Sequence, residues 1–282
     1  EEKALLAVMV VAAVALLFRN LGLYPFVMDD EYAYSKFARL LPFDKSMFPD
    51  YIYFAIYRLT SRCGDGFLDC ARILNVVFFV SAAPFIYRVG RRVTGRKEAL
   101  LVAILSVLGP VNIYTAFFMP ESMYFFVFWA FTAFFLEVAR RGTLVQWGLM
   151  GLLLGVLSSI KPHGLFLLPA LAALCIVFFR QDAGTGATKK LSRYAVFFGM
   201  ALATKFGVGF LFAGKAGLTL LGTSYATLAQ KSMTGAPRYL AMAGLALENL
   251  KGRLLAMSLL FSVPMAQVLL SVGSFFRRDD GE

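Results

Sequence analysis

Three adjacent carboxylates, Asp29, Asp30 and Glu31, follow the first apolar stretch of the chain, and Lys36 and Arg39 come shortly after them. Ionised carboxylates beside apolar helices cost free energy unless water, cations or a substrate face them. A carboxylate in such a place can take a proton from a reacting hydroxyl, and a nearby Lys or Arg can hold an anion. These residues therefore indicate acid–base chemistry at the boundary between lipid and water.

Glu121 is a further candidate carboxylate, in a short turn directly after Pro120. Asp30 and Glu121 come from separate loops and could together hold a divalent cation such as Mg²⁺ or Mn²⁺ with water. The sequence leaves metal dependence open. Asp29 and Glu121 also have a structural interpretation, because an acidic residue at a helix start caps backbone N–H groups and complements the helix dipole.

Basic residues near the same face are candidates for holding an anion. The first choices are Lys45, Lys161 and Arg253, with His163 and Arg238 in reserve. Each cation has a competing interpretation as a side chain that snorkels to lipid headgroups. For His163 the competing interpretation is a hydrogen-bonded imidazole at the membrane interface.

Lys205 is a separate case, because it falls near the middle of a long apolar stretch. A charge at such a depth costs at least about 2.5 to 3.5 kcal/mol. We expect Lys205 either to face a cavity and help to bind substrate, or to lie at the rim if its helix ends early. Tyr34, just after the acidic residues, completes the candidate substrate-binding residues.

The composition indicates that these residues belong to a membrane protein. Hydrophobic residues make up 59% of the 282 positions and charged residues only 16%, which excludes an ordinary soluble domain. A bilayer core about 30 Å thick needs roughly 20 helical residues. The sequence predicts an all-α polytopic membrane protein, with one transmembrane domain over residues 1–282 and about eight transmembrane helices. The predicted spans are 4–18, 68–88, 99–117, 122–139, 144–160, 164–179, 194–214 and 254–275.

Lys and Arg in the loops predict the orientation, because positive residues are retained on the cytoplasmic side. They cluster after every even-numbered span, which predicts that both termini are cytoplasmic. Asp30 and Glu121 then face the periplasmic or extracellular side of the plasma (inner) membrane. The same loop residues contribute to the net charge of +11, so no nucleic-acid partner is expected. They are Arg88, Arg91, Arg92, Arg96, Lys97, Arg140, Arg141, Arg180, Lys189, Lys190, Arg193, Arg277 and Arg278.

The predicted external loop 19–67 contains two amphipathic segments. The first begins at Asp30 and separates apolar from polar side chains at helical spacing, which predicts a helix lying in the membrane interface. Its apolar face is Tyr34, Phe37, Ala38 and Leu41, and its polar face is Glu31, Ser35, Lys36 and Arg39. The second runs from 48 to 59, with rings suited to headgroup depth. Those rings are Tyr51, Tyr53 and Tyr57. The sequence also predicts that residues 215–253 form another external interfacial segment.

The chain has three cysteines. Cys63 and Cys70 both fall on the predicted external side, where an oxidising compartment permits a disulfide, and the sequence leaves open whether one forms. Cys175 lies inside a predicted span and is interpreted as a small apolar packing residue.

Several motifs resemble one enzyme family. The run at 30–39 is similar to the start of the first external loop in GT-C membrane glycosyltransferases, especially the branch of protein mannosyltransferases and aminoarabinose transferases. Residues 120–124, then 151–155 leading to Lys161-Pro162, and then 167–169 are similar to later motifs of that family, in the same order and with similar spacing. The resemblance covers roughly residues 1–180.

This resemblance implies that a sugar is transferred from a polyprenyl phosphate to an acceptor at the external face, usually with inversion at the anomeric carbon. The acceptor could be a glycan, a lipid or a protein. Asp30 takes the place of the family's general base, with Glu31 in support, and Glu121 takes the place of its second acidic residue. The candidate cations would hold the departing phosphate, and the segment 215–253 would gate the lipid donor.

Two alternatives from other functional classes stay open. Lys205 and the proline-interrupted helices are compatible with a transporter of lipids or ions. A noncatalytic membrane scaffold could keep the same fold. The chain also departs from the family pattern, since family members usually have more spans and many carry a soluble C-terminal domain.

Overall fold

The computed structural model describes residues 2–23, 29–181 and 186–222, and every regular element within them is helical. Apart from the last residues of the fifth helix, these helices belong to one compact unit formed by residues 1–91 and 95–223. The prediction of a single domain over 1–282 stays a prediction, because it extends beyond the described residues. The helices are α1 (Glu2–Asn20), α2 (Asp29–Arg39), α3 (Tyr51–Tyr57), α4 (Phe67–Ser81), α5 (Ala83–Val93), α6 (Arg96–Leu108), α7 (Glu121–Arg141), α8 (Leu144–Ile160), α9 (Leu168–Gln181) and α10 (Ala187–Ala213). Short 3₁₀ turns cover Phe43–Lys45, Arg58–Gly66, Pro110–Ala116, Pro162–Leu167 and Gly214–Gly217.

Within the described residues, four helical stretches are long and apolar enough to cross a membrane, as a multi-pass protein requires. They are Tyr51–Val93, Glu121–Ala139, Pro162–Arg180 and Ala187–Gly217. A fifth is added if Arg96–Leu108 and Pro110–Ala116, bent by 43°, form one span. The count of eight spans stays a prediction, and its last member, 254–275, lies outside the described residues.

Two glycines allow α8 and α10 to pack at close range. A Cβ atom on Gly151 would lie 2.2 Å from the carbonyl oxygen of Phe197, and one on Gly155 would lie 2.7 Å from that of Ala201. Small residues permit such approach between helix backbones. Both partners advance by four residues, about one helical turn, along their helices. The next turn along α10 brings Lys205 beside the end of α8.

The segment predicted as an amphipathic helix forms α2, and its Tyr34, Phe37 and Ala38 are buried. Glu31 was predicted on the polar face, and this is wrong because it is buried on the same side as Tyr34 and Ala38. Residues 31, 34 and 38 are spaced so that one helix face carries all three. The location of α2 at a membrane interface stays a prediction.

The second predicted interfacial segment forms α3, but its tyrosines are covered by protein. Tyr51, Tyr53 and Tyr57 are all buried. The ring of Tyr53 packs 5.6 Å from that of Tyr34 and 6.2 Å from that of Phe118, measured between centroids. These rings are covered by protein because α3 packs against α2 and α8, and their depth in a membrane stays a prediction.

A set of buried polar residues, Asn20, Arg72, Asn75 and Thr115, fixes the segment that precedes α7, and we call it the loop network. The amide of Asn20 donates to the hydroxyl of Thr115 at 2.8 Å. The amide of Asn75 donates to the carbonyl of Phe117 at 2.6 Å and its oxygen accepts from the hydroxyl of Tyr57. The loop network thereby holds the start of α7 against α1 and α4.

Cys63 and Cys70 form a disulfide, which closes the turn before α4. This decides the alternative that the sequence left open. Cys175 is buried on α9, and its predicted packing role is confirmed.

Candidate active site

Glu121 and Lys161 form an ion pair at one end of the bundle. Glu121 is the first residue of α7 and Lys161 follows the last residue of α8. These helices are antiparallel neighbours joined by a short turn, so the start of one lies beside the end of the other. The Lys161 Nζ atom lies 2.5 Å from Glu121 Oε1, and each side chain is 18% exposed. Both residues were predicted as site residues, and the structure brings them together.

Lys205 lies behind this pair and is 2% exposed. Its ammonium donates to the carbonyl oxygen of Ser158 at 2.8 Å and to that of Pro49 at 3.1 Å. The alternative that placed Lys205 at the rim is therefore wrong. The close packing of α8 and α10 provides acceptors that compensate for burying the charge.

Asp50 is a buried carboxylate that the sequence analysis did not identify. It is fully buried directly before α3, in the N-cap position, but its side chain does not cap the helix. Burial raises the pKa of Asp50 to about 7, while the charges of Lys205 and Lys161 act in the opposite direction. Asp50, Glu121, Lys161 and Lys205 thus form one group of two acids and two bases, which we call the charge cluster.

Tyrosine hydroxyls surround the charge cluster. The hydroxyl of Tyr34 lies beside the carboxylate of Asp50. The hydroxyl of Tyr53 lies within electrostatic reach of both Asp50 and Glu121. Tyr34, predicted to contact substrate, therefore lies at the site, whereas Tyr53 was predicted only as a headgroup contact.

Glu31 connects the acidic segment of α2 to the site. It is 3% exposed, and its Oε1 atom accepts the backbone N–H of Phe118 at 2.7 Å. Because Phe118 closely precedes Glu121, Asp30 and Glu121 belong to the same end of the bundle. Asp30 itself is exposed. The catalytic roles assigned to Asp30, Glu31 and Glu121 stay predictions.

The other predicted ligands are exposed or lie outside the described residues, and their roles stay predictions. Lys45 ends an exposed 3₁₀ turn, and His163 is exposed with its ring 5.4 Å from that of Phe166. Arg238 and Arg253 lie outside the described residues, as does the segment 223–253. Across the part of the chain that the structure describes, no group of three or more His, Cys, Asp or Glu side chains could hold a metal ion. A cation shared by Asp30 and Glu121 stays a prediction.

Comparison with known proteins identifies the class. The sequence profile described as dolichyl-phosphate-mannose-protein mannosyltransferase matches residues 44–204, more than half of the chain. No curated protein and no solved structure matches the chain. A multi-pass helical protein with this match is a membrane glycosyltransferase of the GT-C type.

Within that class, the chain belongs to the dolichyl-phosphate-mannose-protein mannosyltransferase family. The matched region contains Asp50, Glu121 and Lys161, and it ends just before Lys205. It begins after the run at 30–39, so the family membership does not depend on that run.

Proposed function

We propose that this protein transfers a sugar from a polyprenyl phosphate to an acceptor hydroxyl at the extracytoplasmic face, with inversion at the anomeric carbon. The observation that carries the proposal is the charge cluster, where carboxylates and cations converge beside the start of α2. The family name supports a mannose donor and a protein acceptor. The disulfide between Cys63 and Cys70 supports an oxidising, external location for this end of the bundle.

The chemistry requires one base and one cation. The acceptor oxygen attacks the anomeric carbon, and the bond from that carbon to the phosphate oxygen breaks. The acceptor proton passes to the base, and the polyprenyl phosphate leaves with the bonding electrons. A positioned ammonium stabilises the charge that develops on the phosphate. Lys161 suits this role because it combines a fixed position with partial exposure.

Lys161 is held by Glu121 in the absence of donor. A donor phosphate would compete with Glu121 for the same ammonium, since both are anions. When the phosphate takes that place, the Glu121 carboxylate loses its counter-charge and can bind the acceptor hydroxyl. Donor binding would in this way prepare the acceptor side of the site.

Asp30 is the proposed general base. Its exposure leaves the carboxylate accessible to an acceptor, while the contact between Glu31 and Phe118 fixes the adjacent backbone. General base catalysis contributes about 10²- to 10⁴-fold in rate. Asp30→Asn should lower the transfer rate by a factor in that range.

The test uses purified protein with a panel of polyprenyl-phosphate sugars and candidate acceptor peptides and glycans. Asp44→Asn is the matched control, because Asp44 is an exposed carboxylate in the same loop region. Full activity of Asp30→Asn would exclude Asp30 as the base and leave Glu121 as the remaining candidate. Donor flux into vesicles without any glycosylated product would instead favour a transporter.

A further inference from the structure

Asp50 is the one member of the charge cluster to which no role has yet been given. Its carboxylate is fully buried, and neither oxygen accepts a hydrogen bond of ordinary geometry. Burying an ionisable group in this way is costly unless it has a partner or a function. The N-cap position does not explain it, because the side chain makes no capping bond.

The groups that face Asp50 come from every neighbouring element. Its surroundings are Tyr34 on α2, Tyr53 on α3, Glu121 on α7, Lys161 after α8 and Lys205 on α10. Two are cations, one is an acid and two are hydroxyls. Asp50 is thus surrounded by the residues proposed to bind the phosphate and the acceptor.

Lys205 depends on Asp50 for charge compensation. An ammonium group has three donors, and the two recorded hydrogen bonds of Lys205 reach the neutral carbonyls of Pro49 and Ser158. Because Pro49 and Asp50 are consecutive, one short segment supplies both a carbonyl acceptor and a counter-charge.

Charge balance gives Asp50 a place in the donor complex. Without donor, the two lysines balance Asp50 and Glu121. A phosphodiester carries one negative charge and would replace Glu121 on Lys161, so Asp50 stays the counter-charge of Lys205 when donor binds. An uncompensated charge in a buried site is strongly unfavourable.

We propose that Asp50 is a positioning residue, whose carboxylate holds Lys205 and Lys161 charged and in place for the donor phosphate. It acts through these lysines and does not touch the reacting atoms. The phosphate part of this inference rests on the proposed function, whereas the dependence of Lys205 on Asp50 does not.

The first experiment is kinetic and compares Asp50→Asn with wild type and with Asp44→Asn. Asparagine keeps the shape and removes the charge. The KM for donor should rise at least about tenfold while kcat changes less, because the loss falls on anion binding. The wild-type activity should also fall as the pH drops below about 7, where Asp50 takes up a proton. The activity of Asp50→Asn should not change with pH in this range, and at every pH it should equal the activity of the wild type at low pH.

The second experiment measures thermal unfolding of Asp50→Asn, Lys205→Met and the double variant in detergent. Each single change leaves a buried charge without its partner, so the double variant should lose less in Tm than the sum of the single losses. A single variant that cannot be purified beside a stable double variant also supports the coupling. Additive losses, or a double variant less stable than that sum, would overturn it.

The two experiments distinguish a failure of the inference about Asp50 from a failure of the proposed function. An active wild type whose donor KM and pH profile are unchanged in Asp50→Asn would refute the inference alone. A wild type without transferase activity on the whole panel would refute the proposed function, and the unfolding cycle would still decide whether Asp50 supports Lys205.

Discussion

The loop network and the charge cluster are both groups of buried or part-buried polar side chains, but they differ in how their hydrogen bonds are satisfied. In the loop network, Arg72 binds Asp69 and the carbonyls of Leu23 and Ala116. In the charge cluster, both carboxylate oxygens of Asp50 and the Oε2 atom of Glu121 accept no hydrogen bond of ordinary geometry. Satisfied buried groups rigidify a fold, whereas unsatisfied ones mark a site with capacity for a ligand.

The loop network and the charge cluster also differ in charge. Asparagine and threonine carry much of the loop network, and these side chains do not titrate. The charge cluster consists entirely of ionisable residues, so pH and an anionic ligand can change its contacts. We therefore expect substitutions in the charge cluster to affect mainly activity and substitutions in the loop network to affect mainly stability.

Among substitutions in the charge cluster, the largest effect is expected for Lys161→Met. Transfer should fall about 10²- to 10³-fold, as when a donor that stabilises developing charge is removed. The melting temperature should fall as well, because both side chains of the pair are only 18% exposed and the variant leaves Glu121 without its counter-charge, but the protein that stays folded should still have lost its activity. Assays of labelled sugar transfer and of thermal unfolding measure both, with the exposed Lys97→Met as control. If the loss of activity only followed the loss of folded protein, Lys161 would have a structural role and not a role in transfer.

Removing the disulfide should destabilise the side of the bundle that carries the loop network. Cys63→Ser with Cys70→Ser frees a turn with a sequence separation of 7, and closure of such a short loop is worth about 2 to 3 kcal/mol. The melting temperature should fall, while the activity of the remaining folded protein stays close to wild type. The wild-type protein is the control, and its melting temperature is measured under the same conditions. A melting temperature equal to the control's would contradict the prediction.

Asn75→Ala tests the loop network directly. It leaves the carbonyl of Phe117 and the hydroxyl of Tyr57 without their recorded partner, which should cost about 1 to 3 kcal/mol. Tyr57→Phe removes only one hydrogen bond and should cost about 0.5 to 1.5 kcal/mol. Unfolding measurements on the two variants should therefore rank Asn75→Ala as less stable. The reverse ranking would show that the network does not hold the segment before α7.

The smallest effect concerns pH. Burial raises the pKa of Asp50 from 3.8 to about 7, so the folded state binds the proton more tightly than the unfolded chain. The stability contributed by this group is present below about pH 4 and is lost as the pH rises towards 7. Asp50→Asn should lose this dependence on pH, whereas Asn75→Ala should keep it. Unfolding at several pH values would detect the difference, and identical profiles for both variants would contradict it.

The sequence predicted much of the site but not how its parts meet. Glu121, Lys161 and Lys205 could be found because charges at the ends or in the middle of apolar helices require an explanation. Asp50 was missed because an aspartate before a helix has an ordinary explanation as a cap. The spacing of Glu31 with Tyr34 and Ala38 could have placed it on the buried face.

The same contrast applies to the fold. Hydropathy predicted α7, α8 and α10 closely, because apolar runs of that length form helices in a bilayer. It could not predict that Tyr53 packs against Phe118, since that contact depends on tertiary packing. The register of α8 against α10 was likewise visible only once Gly151 and Gly155 were placed against their partners.

The most direct test is the transfer of a labelled sugar from a polyprenyl phosphate by wild-type protein and by Glu121→Gln. The charge cluster as active site predicts transfer by the wild type and a loss of about 10²-fold in the variant, with unchanged folding. Equal rates for the two proteins, or no transfer by a folded wild type on any donor and acceptor tested, would contradict this account.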